Sequence, residues 1–225
     1  FGKFFSCMLH FKIPLLTAID QEGGQVNRLQ AISPEWKNLP SAKEMRTMTD
    51  DSVYNLAKQI GNALHHYGIN LNSAPVLDPP KDSKGKPSFI EVSNRSFGEF
   101  ETAVPKIRSF VKGMKESKVL STSKHFPGYD SWTNSDHQIA FSTSSKDVIL
   151  KNVELFKEFA DEIPVIMLSS VRFVRLSNTP AVFNPKITAM AREISPYTVL
   201  LTDDLWGVSL RAWISGTDKV KGKNY

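Results

Sequence analysis

Apolar and polar positions along the chain alternate between two patterns. Short, nearly continuous apolar runs, as in strands buried on both faces, occur at "IPLLTAID" (residues 13–20), "INLNSAPVLD" (from about Ile69), "KVLSTSKHF", "PVIMLSS" and "TVLLTDD". Between them, apolar residues recur at helical spacing. Val53, Leu56, Ala57, Ile60, Leu64 and Tyr67 mark one helix, with capping chemistry at Thr49, Asp50 and Asp51 and a stop at Gly68. Val104, Ile107, Phe110, Val111 and Met114 mark a second. Ser145 caps a third that carries Ile149, Val153, Phe156 and Ala160, and "PKITAMAREI" is a short fourth led by proline. Strands alternating with helices predict βαβ units and a parallel sheet.

The strand ends are more telling than the strands. The first run ends at Asp20, the third at Lys124 and His125, the fourth at Ser169 and Ser170, and the fifth at Asp203 and Asp204. In a (β/α)8 barrel such ends meet on one face, which holds the active site. An open doubly wound sheet also binds ligands at its carboxyl ends. No G-x-G-x-x-G or G-x-x-x-x-G-K-[ST] sequence follows any strand, so the barrel is the expected α/β architecture.

Composition narrows the classes. The chain has 225 residues, which suits one large domain or two small ones, and its 40% hydrophobic and 23% charged content is ordinary for a globular protein. Net charge is +5, but the lysines are scattered. The densest runs, "PPKDSKGKP" and "TDKVKGKNY", have few aromatics to stack on bases, which favours a solvated surface over a nucleic-acid site. Cys7 is the single cysteine, so neither an internal disulfide nor a cysteine-rich metal site is possible. No apolar run reaches the roughly 18 residues that span a membrane. The chain begins with Phe rather than Met. The expectation is that the natural N-terminus and any targeting signal lie upstream, and the compartment stays open.

Four segments carry candidate chemistry. In "AIDQEGGQVNRL", Asp20 ends a strand, Gly23 and Gly24 allow close approach of the backbone to a ligand, and Arg28 reaches the same face. A carboxylate and a guanidinium together suit vicinal hydroxyls, because one accepts and the other donates. The same residues equally suit a strand-to-helix turn with a capping acid. "NRSFGEF" places Arg95 in a loop, where a lone arginine is ordinarily solvated. "LLTDDLWG" ends a buried strand in two acids, one of which can cap the next helix while the other faces a pocket. "SKHFPGYDSWTNSDHQIA" sets Lys124, His125, Asp130, Asp136 and His137 on a loop over the same face. A metal on His125, His137, Asp136 and Asp20 is disfavoured, because no two histidines have the spacing of a helical zinc motif and His65 and His66 are adjacent. Serine hydrolysis lacks its G-x-S-x-G elbow.

Taken together, "IDQEGGQVNRL", "NLNSAPVLDP", "NRSFGEF", "KHFPGY…H" and "LLTDDL", in this order between about residues 13 and 206, resemble glycoside hydrolase family 3, specifically the N-terminal barrel domain of its β-N-acetylhexosaminidase branch. The resemblance implies a TIM-type barrel of which the third to seventh strands are present, hence a truncated single domain over 1–225 with a divergent tail at 207–225. It implies a retaining glycosidase that releases terminal β-linked N-acetylglucosamine without a cofactor, acting on a glycan such as a cell-wall muropeptide. Asp20, Arg28, Arg95, Lys124 and His125 would bind the sugar hydroxyls. Asp203 would be the nucleophile and His137 the general acid/base. The family orients that histidine with an Asp two positions earlier; here the position is Ser135, and Asp136 is the carboxylate left to partner it. The family also has a histidine after the following strand, where this chain has Ser170. These departures leave an impaired sugar-binding relative as one alternative. A basic nucleic-acid-binding protein is the alternative from another class.

Overall fold

The computed structural model describes residues 15–217. Cys7, positions 13–14 of the first predicted strand and positions 218–225 of the tail lie outside the described residues. A five-stranded, wholly parallel sheet forms the centre. Its strands are β1 (Ala18–Ile19), β2 (Leu71–Asn72), β3 (Leu120–Phe126), β5 (Val165–Leu168) and β7 (Val199–Thr202). A parallel patch of β4 (Phe141–Ser142) and β6 (Arg172–Phe173) lies apart from it. The apolar runs outlast the formal ladders, because extended chain goes on bonding across them: Ser73 N–H donates to the Ile19 carbonyl (2.7 Å) and Leu77 N–H to that of Lys124 (2.7 Å).

Each crossover carries a helix. The helices in chain order are α1 (Ala42–Met45), α2 (Asp50–His66), α3 (Phe89–Val92), α4 (Phe100–Glu116), α5 (Lys146–Glu158), α6 (Pro185–Ile194) and α7 (Val208–Ile214). Thr49 and Ser145 cap α2 and α5 through their side chains, as the sequence predicts. Residues 208–214, where the repeating pattern fades, nevertheless form α7 and bury Ser209 and Leu210.

The strand order settles the choice of architecture. The sheet runs β1-β2-β3-β5-β7, always onward to a new neighbour. A doubly wound sheet reverses direction at a switch point. Here no reversal occurs, so right-handed crossovers set the connecting helices on one side and the sheet curls as a barrel wall does.

The helices α2 and α4 pack against each other in the outer layer. Ile60, Leu64, Ile107 and Phe110 are buried there, each contributing about 1.5–3 kcal/mol. The helices meet at Gly113, where a Cβ would stand 2.6 Å from the Tyr54 carbonyl oxygen and 2.7 Å from Lys58 N. Any larger residue would force the pair apart. At the sheet's two edges Leu16 and Val199 are exposed.

Candidate functional site

A cleft of about 250 Å³ opens over the carboxyl ends of the strands. On one side, the turn after β1 is built by buried amides. Gln21 N–H donates to Asn72 Oδ1 (3.0 Å) and Asn72 Nδ2 to the Gln21 carbonyl (2.9 Å). Gln21 Oε1 accepts from the N–H groups of Arg28 and Leu29 (2.8 and 3.0 Å), which fixes the chain that returns toward the cleft.

This frame aims two carboxylates at two cations. Lys124 Nζ, at the end of β3, lies 2.7 Å from Asp20 Oδ1 and 2.6 Å from Glu22 Oε1. Arg95 holds Glu22 with a two-pronged bond, Nε to Oε2 and Nη2 to Oε1, both 2.8 Å. Burial alone would raise the Glu22 carboxyl, but Lys124 and Arg95 outweigh it and hold the group at about 2. The same pairing keeps Lys124 and Arg95 raised against the burial that would lower them. All three groups are thus charged at neutral pH. Arg95, ordinary as a loop arginine in the sequence, is here largely buried. Arg28 is exposed on the rim.

His125 is fixed from behind by Asp78, an acid at the end of the second apolar run. Its ring Nδ1 lies 2.6 Å from Asp78 Oδ2, while Asp78 Oδ1 accepts from the N–H groups of His125 (2.8 Å) and Tyr129 (2.6 Å). With one ring nitrogen bound to the carboxylate, Nε2 is left to face a ligand.

The other side of the cleft is acidic. Asp203, directly after β7, accepts from the Ser170 hydroxyl through Oδ2 (3.1 Å) and from Asp204 N–H through Oδ1 (2.8 Å). Asp204 accepts from Trp206 N–H (2.8 Å). Neither acid caps α7, whose N-cap is Gly207. Asp136, itself exposed, lines the cleft with them; His137, exposed as well, is not among the lining residues. Burial raises the Asp136 carboxyl, and the carboxylates of Asp203 and Asp204 add to the rise. Asp130 is buried away from the cleft, where it accepts from the Ser144 hydroxyl.

The structure therefore gathers Asp20, Arg28, Arg95, Lys124, His125, Asp136 and Asp203 around one cleft and leaves His137 outside its lining. Two residues without a role in the sequence reading emerge, Glu22 and Asp78. Asp78 carried a legible signal, an acid ending an apolar strand run like Asp20 and Asp203. Glu22 had none beyond its place in a polar turn. Among the described residues, no group of three or more His, Cys, Asp or Glu is arranged to hold a metal ion, and no helix is long and apolar enough to cross a membrane.

Residues 6–204 match the model of the glycosyl hydrolase family 3 N-terminal domain. A β-hexosaminidase of Actinobacillus pleuropneumoniae is 30% identical over 181 residues, which cover 76% of this chain and 50% of that protein. The β-hexosaminidase LpqI of Mycobacterium tuberculosis is 26% identical over 208 residues, covering 88% of this chain and 52% of LpqI. The chain thus spans about half the length of the curated relatives it matches. A crystal structure of a β-N-acetylhexosaminidase from Beutenbergia cavernae superposes with a TM-score of 0.79 at 27% identity, covering 89% of this chain and 62% of that one.

Proposed function

Since the chain belongs to glycosyl hydrolase family 3, we propose that it hydrolyses terminal β-linked N-acetylglucosamine with retention of configuration, on a barrel of which its strands are the third to seventh. The observation that carries this reading is the division of the cleft. Fixed cations and a backed histidine stand on one side, and Asp203, held by Ser170, on the other.

The sugar's hydroxyls bind on the cationic side. The outer oxygen of Asp20 accepts, while Arg28, Arg95, Lys124 and His125 donate. That hold orients the anomeric carbon toward Asp203, whose bonds from Ser170 and Asp204 N–H fix the rotamer of its carboxylate. Asp203 attacks the anomeric carbon, the glycosidic C–O bond breaks, and a glycosyl ester forms. The leaving oxygen needs a proton, and water in the second step must lose one. The loop carrying Asp136 and His137 is the element above Asp203 that supplies this transfer. Two inversions at one carbon give net retention.

Ser135, in the position where the family has an acid, supports a second reading: a sugar-binding relative with weak turnover. One experiment separates the two. 4-Nitrophenyl β-N-acetylglucosaminide should be cleaved to the β-anomer, seen by proton NMR before mutarotation. A 5-fluoro-N-acetylglucosaminyl fluoride should label the peptide "TVLLTDDLW" at Asp203. Binding of N-acetylglucosamine with neither cleavage nor labelling selects the second reading; an α-anomer or a label elsewhere removes Asp203 from its role.

A further inference from the structure

The loop after β3 is a partition between two cavities. Tyr129, Asn134, Ser135 and Asp136 line the cleft described above. Asp130, Ser131, Trp132 and Thr133 line a second cavity of about 230 Å³, which shares no lining residue with the first. Residues 141–144 and the turn around Lys84 complete its walls. Both sides are held from behind. The Ser131 carbonyl accepts from Phe89 N–H (2.8 Å), and Ser131 Oγ accepts from Thr133 N–H (3.2 Å). Across the cavity, Asp82 Oδ1 accepts from the N–H groups of Lys84 and Lys86 (both 2.8 Å). Two lining residues stand out. Asp130 is only 2% exposed; its Oδ2 accepts from the Ser144 hydroxyl, while its Oδ1 makes no hydrogen bond. A buried carboxyl oxygen in that state is an acceptor open to a donor that enters the cavity. Trp132 is the opposite case, a large aromatic side chain left 73% exposed.

We propose that this second cavity is a saccharide-binding site separate from the cleft, in which the Trp132 indole stacks on a pyranose ring and Asp130 bonds to one of its hydroxyls. A pyranose has a face of C–H groups and an edge of hydroxyls. The C–H face suits an indole. The hydroxyl edge suits a carboxyl flanked by the hydroxyls of Ser142, Thr143 and Ser144, which both donate and accept. Charged ligands fit less well. A metal ion has no group of three or more His, Cys, Asp or Glu to hold it among the described residues. An organic cation would meet the exposed Lys84 and Lys86, and an inorganic anion would meet Asp82 and Asp130. A neutral hydroxyl ligand meets neither conflict. Burial also raises the Asp130 carboxyl, and a hydroxyl can bond to it with or without its proton, donating in one state and accepting in the other. The site does not depend on the hydrolase reading, which supplies only the first sugar to try.

The test is a nitrogen-15 NMR titration of the Asp203→Asn chain, chosen so that the probes are not consumed. The probes are N,N′-diacetylchitobiose, cellobiose and maltose. At least one should move the Trp132 indole N–H and the amides of Ser142 and Ser144 along a saturable curve. Adding Trp132→Ala or Asp130→Asn should weaken that binding by at least about tenfold, read on the Ser142 and Ser144 amides, through loss of the stacking face or of one buried hydrogen bond. Trp132 is exposed, so its variant keeps the test decisive should Asp130→Asn fail to fold. Adding Asp20→Ala should weaken the shifts around the cleft and leave the Trp132 titration unchanged. The proposal is overturned if no saccharide moves the Trp132 indole, if the titration survives Trp132→Ala, or if methylammonium or inorganic phosphate moves these resonances where the saccharides do not. A saturable Trp132 shift in a parent that shows neither turnover nor fluorosugar labelling supports the second site and counts only against the hydrolase reading.

Discussion

The two walls of the cleft use charge in opposite ways. On the β1–β3 wall every carboxylate has a basic partner. Glu22 touches both Lys124 and Arg95, Asp20 touches Lys124, and Asp78 binds His125. On the β7 wall Asp203, Asp204 and Asp136 face one another, and their hydrogen bonds come from a serine hydroxyl and backbone N–H groups. A carboxylate between buried cations is locked in the charged state and serves as fixed architecture. Asp136, partly buried beside the other two, is pushed above the ordinary aspartate range. Rigidity therefore belongs to the wall that holds the sugar, and reactivity to the wall that meets the anomeric carbon.

That contrast breaks first at Asp203. Asp203→Asn should lower kcat by at least about 10³-fold, equivalent to about 4 kcal/mol, while calorimetry finds N-acetylglucosamine affinity nearly unchanged, because the hydroxyl-binding wall is intact. A parallel loss of affinity would mean that the walls do not divide binding from chemistry. Next comes Glu22→Gln, which leaves Lys124 and Arg95 buried without their shared anion. Stability should fall by about 3–5 kcal/mol, read as a lower urea midpoint, whereas Asp204→Asn on the other wall should leave the midpoint unchanged or raise it. Asp78→Ala should cost about 1–3 kcal/mol, from the N–H groups of His125 and Tyr129 left unpaired in a buried site. Sugar affinity should weaken with it as the His125 ring loses its orientation.

The smallest effect is a pH slope whose sign differs between the walls. Glu22 is depressed in the folded state, from 4.5 to about 2. Its contribution is therefore present above 4.5 and lost as pH falls from there toward 2. Asp136 is raised. Between its unfolded and folded values the folded state holds the extra proton, so stability declines as pH rises through that window. Melting curves should show Glu22→Gln flattening the acid limb and Asp136→Asn removing a shallow decline just above the ordinary aspartate range. Identical slopes in both variants would contradict the opposed electrostatics.

Much of the fold was legible because it rests on short-range preferences. Thr49 and Ser145 cap their helices from one position before the first turn. The face of α4 repeats Ile107, Phe110, Val111 and Met114, and the buried strand β5 is the run "VIML". The polar residues that close these strands pointed to one rim, and Asp20, Arg28, Arg95, Lys124, His125 and Asp203 do share one cleft. The roles inside the cleft were less legible. Arg95 read as a solvated loop residue because its partner, Glu22, is 73 positions away. The β7 acids read as possible caps because a cap is a local contact, and the competing turn at Trp206 was not visible.

The sequence by itself determined which segments are strands, which are helices and which strand ends carry chemistry, since periodicity, capping and turn residues act over a few positions. Only the tertiary structure decided the strand order, which depends on how crossovers pack, and the pairing of Lys124 with Asp20 across 104 positions. It alone fastened the turn after β3 to the start of α7, where Val208 N–H and Ser209 N–H donate to the Asp136 and Ser135 carbonyls. A contact of that kind joins segments some seventy positions apart and is invisible to any local pattern.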